Sequence, residues 1–161
     1  MAENLITEEM KAAIGKESEP TTYEVDKTGI RMFARAVGHT DQVFYDEEEA
    51  KRRGYRSLPA PPGYLGTPIY NPRTTGAEGP GGFTRGPYKR ILNGGTEIEY
   101  YNQSPADAIC AGDVLSARSK IASLSERQGN IGPMLITVSE TAYTNQHGKL
   151  VAVSRGTIIS Y

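Results

Sequence analysis

The chain contains a single cysteine, Cys110, among its 161 residues. One thiol cannot build an internal disulfide framework or a cysteine-based metal cluster, so the sequence predicts no metal site. No base is evident near Cys110 in the sequence. We therefore interpret it as a small buried apolar residue rather than as a nucleophile.

Long apolar runs are also missing. No stretch approaches the roughly 20 residues that span a bilayer, and the first ten residues are acidic, without the basic region and apolar run of a secretory signal. A net charge of −1 and a pI of about 6.1 give no electrostatic reason to expect nucleic acid or an anionic membrane as partner. We expect a cytoplasmic protein with one domain over residues 1–161.

Proline and glycine are concentrated between Pro59 and Pro87, with seven of each. Proline removes backbone donors and glycine raises the entropic cost of order, so no long helix is predicted there. At most, residues 63–70 form a short helix or turn, and a loop over residues 71–90 follows. A loop of this length in a compact domain is usually functional or disordered.

Helical patterns are confined to the first half of the chain. Ile30, Phe33, Ala34 and Val37 fall on one helical face, with Asp26 as the N-cap residue and Gly38 as the stop. Residues 46–53 predict a second short helix, acidic at its start and basic at its end.

The second half of the chain changes to the period of two that is typical of strands. Thr96, Ile98 and Tyr100 alternate with Glu97 and Glu99. Three further strands are predicted over residues 114–125, 134–142 and 150–161, the last two joined by a hairpin turn at residues 145–148. With an initial strand at residues 21–25, this gives about five mostly antiparallel strands and an α+β fold.

Residues 33–50 read FARAVGHTDQVFYDEEEA. This segment resembles the signature of the MaoC-like, R-specific enoyl-CoA hydratases, in which an aromatic residue and a small-Gly pair precede a catalytic Asp and His. Phe33, Gly38 and Val43 fit the signature, but His39 and Phe44 occupy the positions of its acid/base pair. A phenyl ring cannot transfer a proton.

Further segments extend the resemblance over nearly the whole chain. None is specific alone, but together, in this order, they resemble the MaoC-like N-terminal dehydratase family, also described as fatty-acid-synthase dehydratase-like. They are residues 33–38, 45–47, 60–62 (APP), 93–97 (NGGTE), 111–113, 132–134, 140–143 and 145–150. The resemblance implies a hot-dog fold, in which a curved antiparallel sheet wraps a central helix. Proline and glycine predict that this helix is short and interrupted.

The resemblance also implies a function. Such a domain pairs with a second hot-dog domain and holds a fatty-acyl, steroyl or similar group carried on coenzyme A or acyl carrier protein. One unit of the pair often supplies the catalytic Asp and His while the degenerate unit shapes the acyl pocket. Because this chain is one unit long, its partner would be another MaoC-like polypeptide with an intact Asp and His, or a second copy of itself. No other cofactor is expected.

Candidate site residues follow from this reading. His39 and Asp41 are weak candidates for a substitute acid/base dyad; the alternative is that His39 is a polar residue just past a helix end, and we favour the latter because Phe44 removes its usual partner. Substrate contacts are predicted at Gly63, Tyr64, Leu65, Tyr70, Asn93 and Gly94. Pro61 and Pro62 have no N–H to polarise a thioester carbonyl, which leaves Gly63 as the candidate oxyanion donor.

Two sets of side chains remain ambiguous in the sequence. Candidates for contact with coenzyme A phosphates are Arg73, Arg85, Lys89 and Arg90, although an exposed, solvated loop explains them as well. Tyr64, Tyr70, Tyr100 and Tyr101 can either line an acyl tunnel or fill the core.

Three functions are consistent with the sequence. The chain is a non-catalytic subunit of a heteromeric enoyl-CoA hydratase, a self-sufficient homodimeric hydratase or related thioester enzyme, or a binding protein for acyl groups or small molecules without a reaction. We favour the first, with a pocket for a bulky or long acyl group, because the interrupted central helix would leave room beside the sheet.

Overall fold

One curled sheet of six antiparallel strands dominates the computed structural model, which describes residues 6–72, 79–130 and 132–161. The strands are β1 (Thr21–Glu24), β2 (Thr67–Pro68), β3 (Ile91–Tyr100), β4 (Val114–Gly129), β5 (Gly132–Thr144) and β6 (Leu150–Ser160). Their order across the sheet is β2-β1-β4-β5-β6-β3, so that β2 and β3 form its two edges. The predicted α+β hot-dog class is confirmed.

The sheet has one more strand than the five expected from the sequence. The extra strand, β2, is only two residues long and pairs with β1 through Tyr23 opposite Pro68 and Glu24 opposite Thr67. A proline is tolerated there because β2 is an edge strand, where its missing N–H breaks no ladder. Period-two alternation cannot be recognised in two residues, so no local pattern predicts this strand.

Three helices lie before β2 in the sequence: α1 (Glu8–Ala13), α2 (Lys27–Ala36) and α3 (Glu47–Arg52). The predicted start of α2 is confirmed, since the Asp26 carboxylate accepts a hydrogen bond of 2.8 Å from the Gly29 N–H. Ile30 and Ala34 are fully buried, whereas Val37 is 54% exposed because the helix has already ended there.

The first helix, α1, was not predicted. Its signals are short but present in the sequence. The Thr7 hydroxyl caps the Met10 N–H at 3.2 Å, Glu8 and Glu9 lie in the first turn, and Met10 and Ala13 form a buried pair three residues apart. A helix of six residues offers too few turns for a reliable helical period.

One end of the inner face of the sheet carries the main core. Leu115, Tyr143 and Ala152 of the sheet pack against Ile30 of α2 and Ala50 of α3. Residues 61–66 pack here as a turn in which the Tyr64 N–H donates to the Pro61 carbonyl at 3.0 Å. The expected short, interrupted central helix is therefore unwound throughout, because no helix forms in the described residues 53–72.

A second, smaller core lies toward the other end of the same face. Met10 and Ala13 of α1 pack with Phe83, Ile121 and Leu135. Phe83 belongs to the loop that was predicted over residues 71–90, of which residues 73–78 lie outside the described part. The described part of this loop folds back onto the sheet and fills some of the space that a central helix would leave.

Asp113 joins three segments beneath the main core. Its carboxylate accepts hydrogen bonds from both terminal nitrogens of Arg56 at 3.1 and 2.7 Å, from the Cys110 N–H at 2.9 Å and from the Gln146 amide at 3.0 Å. Burial by itself would raise the pKa of Asp113, but the Arg56 guanidinium and the other donors hold it below its usual range. These hydrogen bonds link three segments of the chain: residues 56–58, the loop before β4 and the β5–β6 hairpin.

We expect Asp113→Ala to lower the free energy of unfolding by about 2–4 kcal/mol, because buried donors lose their acceptor. Chemical denaturation in urea at neutral pH measures this. Since the carboxylate has a lower pKa in the folded state, its contribution is present above about pH 4 and is lost as the pH falls through that folded pKa. The difference between wild type and variant should therefore narrow in acid.

Asp107→Ala is the matched control, because Asp107 forms a more exposed pair with Lys149 at 3.1 Å. It should lower the free energy of unfolding much less than Asp113→Ala does, because solvent screens an exposed ion pair. If the two variants lose the same amount of unfolding free energy, Asp113 has no special role in stability.

Candidate functional site

A cleft of about 290 Å³ opens beside the main core. Aromatic, proline and aliphatic side chains form most of its wall, and the polar groups come from two tyrosines, Asn102 and Asp107. The lining residues are Phe44, Tyr55, Pro59, Ala60, Pro62, Tyr100, Asn102, Asp107, Ala108, Ile109 and Val151. We call it the Phe44 cleft. An apolar wall with few polar groups is the usual composition of a small-molecule site.

Phe44, which lines this cleft, lies next to His39, with ring centroids 4.9 Å apart. The backbone of His39 is fixed on both sides: its N–H donates to the Ala34 carbonyl at 2.9 Å, and its carbonyl accepts from the Tyr45 hydroxyl at 2.6 Å. The main chain of His39 thus closes the C-terminal end of α2. This arrangement matches the interpretation of His39 as a polar residue just past a helix end.

The Asp41 carboxylate has structural partners. It caps the 3₁₀ turn Gln42–Phe44 by accepting from the Val43 N–H at 3.1 Å, and it pairs with Arg53 at 2.9 Å. The Val43 N–H and then Arg53 hold its pKa below the usual range. In the part of the chain that the structure describes, no hydrogen bond joins the side chains of His39 and Asp41.

Gly63 lies in a left-handed turn, with φ of +95°. Its N–H, the candidate oxyanion donor, points at the Tyr100 hydroxyl and donates to it at 2.8 Å. A Cβ at this position would also come within 3.2 Å of the Phe33 ring. The left-handed backbone conformation therefore favours glycine, and any side chain here would also push the Phe33 ring aside by a few tenths of an ångström.

The neighbouring candidates have different environments. Tyr64 is 9% exposed and Leu65 8% exposed, and both belong to the main core. The Tyr64 ring packs against Phe33 and its hydroxyl lies 3.2 Å from that of Thr67. Tyr70 is 83% exposed. For these tyrosines, the structure assigns Tyr64 to the core and Tyr70 to the surface.

Asn93 and Gly94 lie far from Gly63. They form a bulge in β3, seven residues before Tyr100, which is roughly 20 Å along a strand. The Asn93 side chain accepts from the Gly95 N–H at 2.9 Å, and a Cβ on Gly94 would come within 2.8 Å of Thr157. Both residues shape the edge strand, and the six candidate substrate contacts do not form one site.

The basic candidates also do not converge on the Phe44 cleft. Arg73 lies outside the described residues. Lys89 and Arg90 are exposed, and the backbone of Arg90 pairs with Tyr161. Arg85 lines a second cavity of about 170 Å³ at the smaller core, together with Phe83 and Thr137. The Thr137 hydroxyl is buried there without a hydrogen-bond partner in the described residues.

Sequence reasoning left the role of Tyr100 open between an acyl tunnel and the core. Its position on the inner face was visible in the alternation of β3, but its contact with Gly63 was not. Tyr55 and Asn102 were missed altogether, since both lie in loops without a periodic pattern. Only the tertiary structure brings these residues to one cleft.

Comparisons with known proteins agree with this architecture. The family described as FAS1-like, dehydratase domain region, matches residues 12–154. A UPF0336 protein of Parafrankia sp. (strain EAN1pec) is 32% identical over 146 residues, which cover 84% of this chain and 86% of that protein. A probable enoyl-CoA hydratase alpha subunit of Thermomonospora curvata is 25% identical, and the match covers 82% of this chain but only 43% of the relative.

A similar fold occurs in the crystal structure of the C-terminally truncated HadBC complex, a (3R)-hydroxyacyl-ACP dehydratase from Mycobacterium tuberculosis. The TM-score is 0.61 at 22% identity, over 89% of this chain and 96% of the matched chain. The fold and the family match together define a hot-dog protein of the dehydratase and hydratase type. The chain belongs to the FAS1-like dehydratase family, within the MaoC-like hot-dog proteins. In the residues described, no helix is long and apolar enough to cross a membrane.

If a partner subunit supplies the acid/base pair, as the favoured interpretation of the sequence expects, His39→Ala should leave enoyl-CoA hydration by the complex of the two chains within a few-fold of wild type. A general acid or base typically contributes about 10²–10⁴-fold. Steady-state kinetics with the complete complex measures the effect. A loss of that size with assembly intact would make His39 a catalytic residue.

Proposed function

We propose that this chain is an acyl-thioester-binding, non-catalytic subunit of a heteromeric enoyl-CoA hydratase or dehydratase. The observation that carries the proposal is Phe44. It occupies the position of the histidine in the hydratase signature, and its ring lines the cleft and contacts His39. The acid/base pair would then come from the partner subunit.

The chemistry of hydration supports this assignment. Adding water to an enoyl thioester requires a base that activates the water, an acid that protonates the α-carbon and a donor that polarises the carbonyl. In this chain the position of the family histidine is apolar, and the Val43 N–H and then Arg53 hold the pKa of Asp41 below its usual range. A paired carboxylate with a lowered pKa is both a poor proton donor and a weak base, which argues against a homodimeric enzyme that uses His39 and Asp41.

The edge of the sheet supports a partner. β3 is a ten-residue edge strand, and Ile91 and Leu92 at its start are each 52% exposed. An uncovered edge of this length is an aggregation hazard that proteins usually cover. We infer that a second hot-dog subunit pairs along β3 and makes a continuous sheet. The HadBC complex, which has a similar fold, provides a precedent for assembly from two different chains.

The acyl group would follow the inner face of the sheet. Between the two cores this face carries small residues, Ser139, Ser154 and Gly156, and all three are partly exposed. Phe83 bounds the face at the smaller core. We propose that this strip receives a bulky or long acyl group whose carrier is coenzyme A or acyl carrier protein, and that no other cofactor takes part.

The first test is co-expression with a MaoC-like subunit that retains its Asp and His. Sedimentation at micromolar concentration should show a complex, and enoyl-CoA hydration should require both chains. Replacing the partner's Asp or His by Ala should abolish activity, whereas Phe44→Leu in this chain should preserve it. Hydration by this chain alone would contradict the proposal, and two separate monomers would contradict the pairing.

The second test concerns substrate size. With the complete complex, kcat/KM should be higher for a long-chain or polycyclic enoyl thioester than for crotonyl-CoA, because the middle of the inner face lacks a covering helix. Ser154→Leu would narrow the strip, and Ser116→Leu, at a position of opposite parity on β4, serves as a control of equal bulk. If the wild type prefers the crotonyl thioester, the loop that contains Phe83 fills the space on the inner face that the long acyl group would need.

A further inference from the structure

Tyr100 occupies an unusual position between the backbone and the Phe44 cleft. Its hydroxyl oxygen accepts the Gly63 N–H at 2.8 Å, and the side chain is one of the few polar groups in the cleft wall. Among the described residues, none accepts a hydrogen bond from this hydroxyl. The phenol therefore has a proton available to a ligand in the cleft.

Both partners of this hydrogen bond are held in place. Tyr100 lies on the inner face of β3 opposite Ala152, and Tyr143 flanks Ala152 from the other side. Gly63 follows Pro61 and Pro62 in a turn whose left-handed residue fixes the direction of the N–H. A donor that is already oriented avoids the cost of ordering when a ligand binds.

The electrostatic setting of Tyr100 keeps its phenol neutral. Burial raises the pKa of Tyr100, and the Gly63 N–H only partly opposes that effect, so the hydroxyl stays protonated at neutral pH. The neighbouring Tyr143 behaves alike, since burial and then Tyr23 raise its pKa to about 12. A hydroxyl that accepts a hydrogen bond also becomes a better donor, because such chains polarise one another.

Gly63 itself cannot donate directly while Tyr100 is bound to it. The two prolines before it have no N–H, and the other backbone donor nearby, the Ala60 N–H, is used by the Ile109 carbonyl at 2.8 Å. Asp107, also in the wall, has Lys149 and Ser104 as partners. Tyr100 thus combines an unused proton with a hydroxyl held by a backbone hydrogen bond, whereas among the described residues no hydrogen bond holds the Tyr55 hydroxyl or the Asn102 amide.

We propose that the Tyr100 hydroxyl binds the carbonyl oxygen of the acyl thioester and that the Gly63 N–H acts through Tyr100 rather than on the substrate itself. The ligand class is a carbonyl compound with an apolar chain. This inference rests on the proposed function, and it assigns to this chain the carbonyl contact of the shared site even though the acid/base pair belongs to the partner.

The test compares two ligands that differ at one group. Dodecanoyl-CoA has the thioester carbonyl, whereas S-dodecyl-CoA is a thioether with CH₂ in its place. Calorimetry on the assembled complex should show that wild type binds the thioester about tenfold more tightly, the typical effect of one hydrogen bond in a closed site. Tyr100→Phe should remove this preference and leave thioether affinity unchanged.

Tyr55→Phe is the matched control, because it removes a phenol hydroxyl from the same cleft wall. It should keep the preference for the thioester. Difference infrared spectra measure the thioester carbonyl directly. A purely structural role of Tyr100 would not change the frequency of that carbonyl band. The thioester carbonyl band should move to lower frequency on binding to wild type and Tyr55→Phe, but not on binding to Tyr100→Phe.

The outcomes separate this inference from the proposed function. If neither ligand binds, the proposed function fails. If both bind wild type with equal affinity, or if Tyr55→Phe loses the preference to the same extent, the assignment of Tyr100 fails and the proposed function stands. Tighter thioester binding to Tyr100→Phe would show that the carbonyl displaces the phenol and takes the Gly63 N–H directly, which also overturns the inference.

Discussion

The Arg56–Asp113 contact is the constraint on which the cleft depends. The guanidinium also donates to the carbonyls of Ala106 at 3.1 Å and Ala108 at 3.0 Å, so one side chain holds the loop before β4 at three points. Backbone bonds continue the connection, as the Ala111 N–H donates to the Leu58 carbonyl at 2.9 Å. Two segments without regular structure acquire a fixed geometry in this way. Both segments contribute residues to the wall of the cleft, so the shape of the cleft depends on the Arg56–Asp113 salt bridge.

The loss of the central helix has a further consequence for this site. A helix would satisfy the backbone groups of residues 61–66 internally, but two prolines and two left-handed glycines, Gly63 and Gly66, leave a turn instead. The Gly63 N–H then needs an acceptor, and Tyr100 provides one. The same change that removes the helix therefore brings the phenol of an edge strand into the cleft.

The two ends of the inner face have different characters. At the main core, none of the described residues has a fully buried side-chain polar atom without a hydrogen-bond partner. At the smaller core the Thr137 hydroxyl is buried without one in the described residues, and Arg85 lies at the adjoining cavity. The sheet connects the two ends, because β4, β5 and β6 run from one end to the other. Any ligand on this face would lie along three paired antiparallel strands.

The sequence by itself determined the class of fold, and its resemblance to the hydratase signature predicted that Phe44 stands in the place of the histidine. Asp26 and Gly38 bound α2 as predicted, and the alternation around Ile98 predicted β3, because caps and periods are local properties of the chain. Tertiary structure decided the site. Gly63 and Tyr100 are 37 residues apart, and no local pattern predicts that their backbone and side chain will meet. Local patterns also could not predict the position of Phe83, because it packs on the sheet through contacts with residues that are distant in the sequence.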